Sequence, residues 1–440
     1  MRVGAARPPR DAHAAALRAR RVLRRHRLRR GTRAMTAIEE RTGPAHRIVA
    51  PADGARLRVV QVGAGGMGRQ WLQTIAEDPD VELVGVVDLD EEAARAGASA
   101  HGASAEASTD LGELIARVRP DAVIDVTIPR AHHPVTTQAL FAGIPVLGEK
   151  PVALTVAEGL SLAAAAEITG ELFMVSQSRR YNDHLVALKR RAADLGGVGI
   201  VTTEFFKAPR FGGFREEMDD VLLLDMAVHQ FDAVRYLLDA DPVSVYCESY
   251  DPAWSWYRGD AGATAVFAFE GGVRYVYTGS WCSPGAETSW NGSWRLSGAH
   301  GTALWDGDHD PTSEIPDAPG GPPAEPAPEE SVGVEIAGSL RAFVRALRTG
   351  ERPHGEVHGN VMSLAMVEAA IESKDTGRRL VIDDVLERAH ATALADERRD
   401  DVRARLEAWR ERGVREALQG PSTSAGVVGA AAVARPAAAG

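Results

Sequence analysis

Two short segments carry the side chains best suited to acid–base work. Gly148-Glu149-Lys150-Pro151 places an ammonium where a strand gives way to a loop, and Asp225-Met226-Ala227-Val228-His229-Gln230-Phe231-Asp232 places an imidazole between two carboxylates. A histidine passes a proton near neutral pH, and a nearby carboxylate can orient it and stabilise its charged form. Helical spacing sets Asp225, His229 and Asp232 on one stripe, with Leu222, Met226 and Phe231 as apolar neighbours. Polar groups bordering a buried stripe are costly without partners. Each segment also has a plainer meaning: an exposed Glu149–Lys150 ion pair, and a helix acid with a satisfied core histidine. Asp225 and His229 could begin a metal site, but no third ligand accompanies them, and no metal is expected.

A third segment binds rather than reacts. The apolar run Val59 to Val62 leads straight into Gly63-Ala64-Gly65-Gly66-Met67-Gly68, and Asp88 follows the last glycine by 20 residues at the end of a second apolar run, Val81 to Val87. Strand, glycine turn, helix, strand and acid form the dinucleotide-binding pattern. Gly63 permits the tight turn, Gly65 lets the backbone approach a pyrophosphate, and Gly68 lets the helix pack close to the strand. The helix start offers free N–H groups to the phosphates. Asp88 would accept from ribose hydroxyls and repel a 2′-phosphate, and Leu89-Asp90 brings no arginine to offset it. NAD is therefore the expected cofactor, with NADP as the alternative. The plainer meaning is a strand-to-helix turn without a ligand.

These residues need a frame. From Leu57 to Ser176, apolar strands (57–62, 81–87, 122–127, 145–148, 172–176) alternate with helical patterns (67–77, 91–100, 110–117, 133–142, 155–168). That alternation predicts a doubly wound parallel sheet of the Rossmann type, which binds ligands beyond the carboxyl ends of its strands. Thr127 to His133 and Glu149-Lys150 both fall on that edge. A helix at 182–194, a strand at 199–206 and a helix at 221–238 follow. Successive strands at 243–250, 262–270, 272–281, 288–297 and 301–305 then predict a C-terminal α+β domain with a mostly antiparallel sheet, and Gly271-Gly272 is a hairpin signal. Residues 306–330 read as a loop, 332–348 and 357–375 as helices, and 383–416 as one or two charged helices. The resulting division is a basic extension (1–50), a dinucleotide-binding domain (51–177), a substrate and oligomerisation domain (178–382), a helical extension (383–419) and a low-complexity tail (420–440).

Composition narrows the classes. The chain has 440 residues, 45% hydrophobic and 25% charged, as in ordinary globular proteins. Its net charge of −11 hides an asymmetry, because residues 1–34 hold twelve arginines and one aspartate. The body is correspondingly acidic, which argues against a nucleic-acid partner. No apolar run is long enough for a membrane helix, and no membrane partner is expected. Two cysteines make no disulfide framework, and a cytoplasmic location fits. The basic head lacks the apolar core of a secretory signal. It could mimic a transit peptide, but Met35 is the expected true start. Six of the eight tryptophans fall between 254 and 305. Sheet-face packing or an oligomer contact is the expected role, so a homodimer or homotetramer is anticipated, with one or two indoles left for stacking on sugar.

Together these features resemble the glucose–fructose oxidoreductase / inositol dehydrogenase / MocA-like oxidoreductases over residues 56–382. The resemblance rests on the glycine turn, on Ile128-Pro129-Arg130-Ala131-His132-His133 where the family shows Thr-Pro-Asn-x-x-His, on Glu149-Lys150-Pro151, and on Asp225 to Asp232 where it shows Asp-x-Gly-x-His-x-x-Asp. Ser178-Arg179-Arg180-Tyr181 and the late helix from Ala365 to Ser373 also look like family elements. Ile128, Arg130 and Ala227 depart from the pattern. The resemblance implies catalysis by Lys150, Asp225 and His229. It implies cofactor contacts from Gly63, Gly65, Gly66, Met67, Gly68, Asp88, Ile128, Pro129, His133, Glu149 and Lys150. Arg180, Tyr181 and Trp294 are substrate-pocket candidates. The implied reaction is reversible, NAD(P)-dependent oxidation of a secondary alcohol on a sugar, inositol or related polyol, with His229 as base, Lys150 on the oxyanion and Asp225 orienting His229 and the substrate hydroxyl. The alternatives are an NAD-dependent glycosidase of the same fold and a non-catalytic dinucleotide-binding sensor.

Overall fold

The structure is a computed structural model, which describes residues 45–49, 55–101, 104–316 and 334–420. The basic head, most of the Pro-rich part of 306–330 and the Ala/Gly/Ser tail lie outside the described residues. The first sheet is built from six short strands, β1 (Leu57–Val62), β2 (Val81–Val87), β3 (Glu106–Ser108), β4 (Ala122–Asp125), β5 (Val146–Glu149) and β6 (Phe173–Ser176), in the order β3-β2-β1-β4-β5-β6. Every pairing is parallel. Helices α1 (Gly66–Glu77), α2 (Glu91–His101), α3 (Leu111–Val118), α4 (Pro129–Phe141) and α5 (Val156–Thr169) connect them. Val60, Val123, Ile124, Val146 and Leu147 are fully buried, as strands covered on both faces require. The strand order reverses between β1 and β4, and such a switch point opens a crevice beyond the strand ends.

The second sheet holds eight strands: β7 (Val198–Phe206), β8 (Pro242–Tyr250), β9 (Gly262–Phe269), β10 (Arg274–Ser280), β11 (Ser293–Gly298), β12 (Thr302–Trp305), β13 (Thr312–Glu314) and β14 (Leu380–Val381). Their order is β13-β12-β11-β7-β10-β9-β8-β14, and all neighbours are antiparallel except β7 and β10. The hairpin between β9 and β10 turns on Gly271 and Gly272, at φ 72° and 90°, where a side chain would be strained. β13 corrects the reading of 306–330 as loop throughout, and β3 is a strand that the sequence pattern did not announce. Both are three residues long, too short for an apolar period to show.

Helix α6 (Asp183–Ala193) and helix α7 (Val228–Leu238) follow β6 and β7, and α8 (Glu335–Thr349) and α9 (Val357–Thr376) return after β13. A π-helix, Leu222–Ala227, runs directly into α7. The charged C-terminal region forms α10 (Ile382–Asp396), α11 (Asp400–Arg412) and the single turn α12 (Val414–Ala417). Helices α10 and α11 pack on α5, which also touches α4 and α9. At that junction the buried imidazole of His358 lies 2.5 Å from Glu356 Oε1 and 3.0 Å from Glu167 Oε1. The Trp409 indole donates to the other Glu167 oxygen at 3.2 Å.

Candidate active site

The glycine turn shows its function in its packing. A Cβ on Gly63, whose φ is +97°, would come within 2.5 Å of Val126 O, and one on Gly68 within 2.3 Å of Gly63 O. Those two glycines are required by the protein itself. Gly65 and Gly66 differ: added Cβ atoms there would meet nothing within 4 Å. That open space lies at the start of α1, where the N-cap Gly65 supplies no side-chain cap. A helix start left uncapped beside bare glycines fits a pyrophosphate. Asp88 sits at the end of β2, accepting from Ala64 N at 2.7 Å and Asp90 N at 3.0 Å. Its carboxylate thus ties the second strand to the glycine turn at the place where a ribose would lie. Met67 and Ile128 are exposed along the same edge, with Pro129 opening α4 at its first position.

The histidine expected there is the neighbouring one. His133 points across α4 to Ser161 Oγ, 3.0 Å away, and Ser161 donates to Glu397 of the C-terminal extension. Burial pushes its pKa down. His132 takes the place at the strand ends, with ring nitrogens 2.7 Å from Pro151 O and 3.1 Å from Thr127 O. Helix α4 starts at Pro129 rather than near 133, so His133 is already a full turn inside it, on its outer side. Glu149 also faces inward. Its Oε1 accepts from the Trp71 indole at 2.7 Å and its Oε2 from Lys150 N at 3.1 Å, while burial pushes its pKa up. Glu149 braces β5 against α1 instead of reaching towards the crevice.

Lys150 crosses from one sheet to the other. Its Nζ donates to Asp225 O at 2.9 Å and to Asp225 Oδ1 at 3.1 Å. Arg215 Nε donates to the second carboxylate oxygen, Oδ2, at 2.6 Å. Burial opposes the charge of Asp225, but Lys150 and then Arg215 outweigh it and hold the carboxyl below its ordinary value. His229 is buried close by with its Nδ1 sealed from solvent and unpartnered. Burial first, then the charges of Lys150 and Arg179, push its pKa well below the ordinary imidazole value. It is therefore held in its neutral form. The ammonium lies near enough for its charge to act on the imidazole although the two residues are 79 apart in sequence.

The single helical stripe expected for Asp225, His229 and Asp232 does not form. The π-helix contains Asp225 and its wider turn ends just before α7, so the regular spacing fails. Asp225 turns to Lys150 and Arg215 and makes no hydrogen bond to His229, which corrects the expectation that it orients the imidazole. Asp232 turns the other way. It accepts two hydrogen bonds from Arg180, at 2.6 and 2.7 Å, and a third from Ser363 at 2.6 Å. Arg180 is thus consumed by the core. Tyr181 donates to His354 O at 3.1 Å, also away from the cleft. Both are corrected as substrate-pocket candidates.

The adjacent Arg179 reaches the cleft instead. It lines a small cavity with His229, Asn291, Trp294 and Trp305. Trp294 also lines this cavity, with its indole donating to Asn291 O at 2.8 Å. Arg179, Arg215 and Asn291 are the residues that sequence reasoning missed. Arg179 stood inside a quoted motif, one position from the residue chosen. Arg215 follows Gly212-Gly213, both at positive φ, with no periodic signal of its own. Among the described residues no three His, Cys, Asp or Glu side chains gather as metal ligands, and no helix is long and apolar enough to cross a membrane.

Known proteins resemble this chain in sequence and in fold. The profile described as "Oxidoreductase family, NAD-binding Rossmann fold" matches residues 57–177, and that of the "GFO/IDH/MocA C-terminal domain" matches residues 191–304. The D-apiose dehydrogenase of Paraburkholderia graminis is 25% identical over 342 residues, which are 73% of this chain and 89% of that protein. The inositol 2-dehydrogenase of Rhizobium meliloti is 25% identical over 341 residues, 73% of this chain and 98% of that protein. Among solved structures, the WlbA dehydrogenase from Chromobactrium violaceum, in complex with NADH and UDP-GlcNAcA, has the same fold, with a TM-score of 0.67 at 20% identity over 76% of this chain and 98% of that one. The two profiles together span more than half of the chain, one on each sheet. The chain belongs to the Gfo/Idh/MocA family of NAD-dependent oxidoreductases.

Proposed function

We propose that the protein oxidises a secondary alcohol of a sugar, inositol or related polyol with NAD⁺, reversibly, and that Lys150, Asp225 and His229 carry the reaction. The observation that carries this reading is the Lys150 ammonium on Asp225 beside a buried, neutral, unpartnered imidazole. The names of the dehydrogenase relatives point the same way.

The glycine turn, Asp88, Ile128 and Pro129 are the groups that would hold the dinucleotide, with Lys150 towards the nicotinamide ribose. Bound NAD⁺ supplies the acceptor for the hydrogen and electron pair leaving the carbinol carbon. The alcohol proton leaves to a ring nitrogen of His229. Lys150 would stabilise the negative charge that grows on the alcohol oxygen. Asp225 fixes the ammonium through its carboxylate and its backbone carbonyl together, and Arg215 fixes Asp225. The carboxylate positions the lysine rather than the histidine.

The test is a panel of sugars and inositols with NAD⁺ and NADP⁺, followed by absorbance of the reduced nicotinamide. We expect turnover with NAD⁺ by the wild-type chain, and a fall on the order of 10²–10⁴ in His229→Ala with NADH affinity retained. Near-normal turnover in both His229→Ala and Lys150→Ala would refute the assignment. Release of a sugar from a glycoside without net reduction of NAD⁺ would refute the reaction class.

A further inference from the structure

We propose that Arg179 recognises a carboxylate on the substrate, so that the alcohol oxidised belongs to an acidic sugar such as an aldonate or a uronate. The proposal rests on the reaction class above and adds the identity of the group that anchors the substrate.

The two neighbouring arginines make the case by contrast. A guanidinium binds a carboxylate best side-on, through Nε and one terminal nitrogen acting as a fork. Arg180 does this with Asp232, donating from Nε and Nη2. Arg179 has the same fork, and no hydrogen bond is made along its Nε edge among the described residues. Both of its hydrogen bonds come from Nη1, to Asn291 Oδ1 at 2.8 Å and Glu335 Oε1 at 2.9 Å. Its Nε is sealed from solvent and has no partner among the described residues. A buried donor left without an acceptor carries a desolvation cost that a ligand oxygen would relieve. The guanidinium lines the cavity shared by His229, Trp294 and Trp305, beside the base that takes the alcohol proton.

Charge selects a carboxylate over a pair of hydroxyls. The cationic groups at and beside the pocket are Arg179, which lines it, and Lys150, whose charge reaches His229, with Arg215 meeting Lys150 at Asp225. The anionic ones are Asp225, which is shared by Lys150 and Arg215, and Glu335, which contacts Arg179 from the Nη1 side and is half exposed. One positive charge is left over, with His229 neutral. Two acceptor oxygens on one carbon match the fork in spacing as well as in charge. Asn291 holds the guanidinium by Nη1 and so leaves the Nε edge turned to the ligand. Its backbone oxygen meanwhile holds the Trp294 indole, whose ring walls the same space.

The experiment compares D-gluconate, D-galacturonate and D-glucuronate with their neutral counterparts D-glucitol, D-galactose and D-glucose. Wild type, Arg179→Gln and Arg179→Lys are assayed with NAD⁺. Binding is read separately, with or without turnover, by the fluorescence of the pocket tryptophans in the NADH complex. We expect wild type to favour the acids by about tenfold or more in kcat/KM. Arg179→Gln should raise KM for the acids far more than for the neutral sugars, and Arg179→Lys should not restore the preference because it lacks the fork. Should Arg179→Gln fail to fold, tetrahydropyran-2-carboxylate, which has no alcohol to oxidise, should still inhibit wild type competitively while unsubstituted tetrahydropyran does not. Turnover of neutral sugars without preference for acids overturns the proposal and leaves the dehydrogenase reading standing. Saturable binding of the acids with no turnover of any compound does the reverse.

Discussion

Asp225 and Asp232 lie seven residues apart on one continuous helical stretch, both buried, both paired with arginine. Their surroundings differ. Asp232 has a bidentate arginine and a serine hydroxyl, all within the core. Asp225 divides its oxygens between Arg215, which comes from a loop, and Lys150, which comes from the other sheet. The first arrangement closes a gap between helices. The second joins residues from the two sheets. Burial and pairing alone therefore do not mark a functional acid. What marks it is that one of its partners has chemistry still to do.

The comparison breaks most visibly in the two amide variants. Asp232→Asn leaves Arg180 buried without its counter-charge, and we expect a loss of about 3–5 kcal/mol in urea unfolding. The folded fraction should keep its kcat/KM. Asp225→Asn should show the opposite emphasis: a smaller loss of stability, because Lys150 and Arg215 are more exposed than Arg180, and turnover down about a hundredfold because Lys150 loses its anchor. If both variants lose the same property in equal measure, the distinction between the two acids is wrong.

A second comparison concerns pH. His229 is held neutral by burial and by two cations, so the acid limb of kcat/KM should have its midpoint below 6.5. A midpoint at or above 6.5 would mean that another group is the base. The smallest effect belongs to His358. Burial opposes its charge, but Glu356 and then Glu167 outweigh burial and raise its pKa to about 9. A raised folded-state value stabilises the protein fully below the unfolded value of 6.5, and that contribution is lost as pH rises through about 9. Urea midpoints of wild type should fall over that window, and those of His358→Gln should fall less. Equal slopes would show that the Glu356–His358–Glu167 cluster does not titrate as a unit.

How much could be read beforehand depended on how local each device is. The glycine turn, β1, β2 and Asp88 lie within about thirty residues, and each glycine has its own backbone reason, so their spacing carries the information. The parallel sheet was legible for the same reason: fully buried strands show as apolar runs. The proposed alcohol side gathers residues 150, 179, 215, 229 and 291 through tertiary contacts, which no periodicity records. Two local misreadings have physical causes. A π-helix breaks the regular spacing on which the stripe at 225–232 relied, and adjacent arginines on the short helix at 178–181 point to opposite sides, so that position 179 faces the cleft and 180 the core. The early start of α4 was signalled by Pro129, a residue suited to the first turn of a helix. Weight given to that proline would have exchanged His133 for His132.

Helix α5 makes a different demand on the chain. Gly159 to Ala166 are all buried, and no residue from Val156 to Thr169 is fully exposed. A helix apolar on every side has no face to offer water and must be enclosed. Helices α4 and α9 cover part of it, and α10 and α11 cover more. The last forty described residues are therefore a wall of the dinucleotide-binding half and not an appendage to it. A relative that dispenses with them must either repaint that helix with charged residues or recruit another surface to keep it dry.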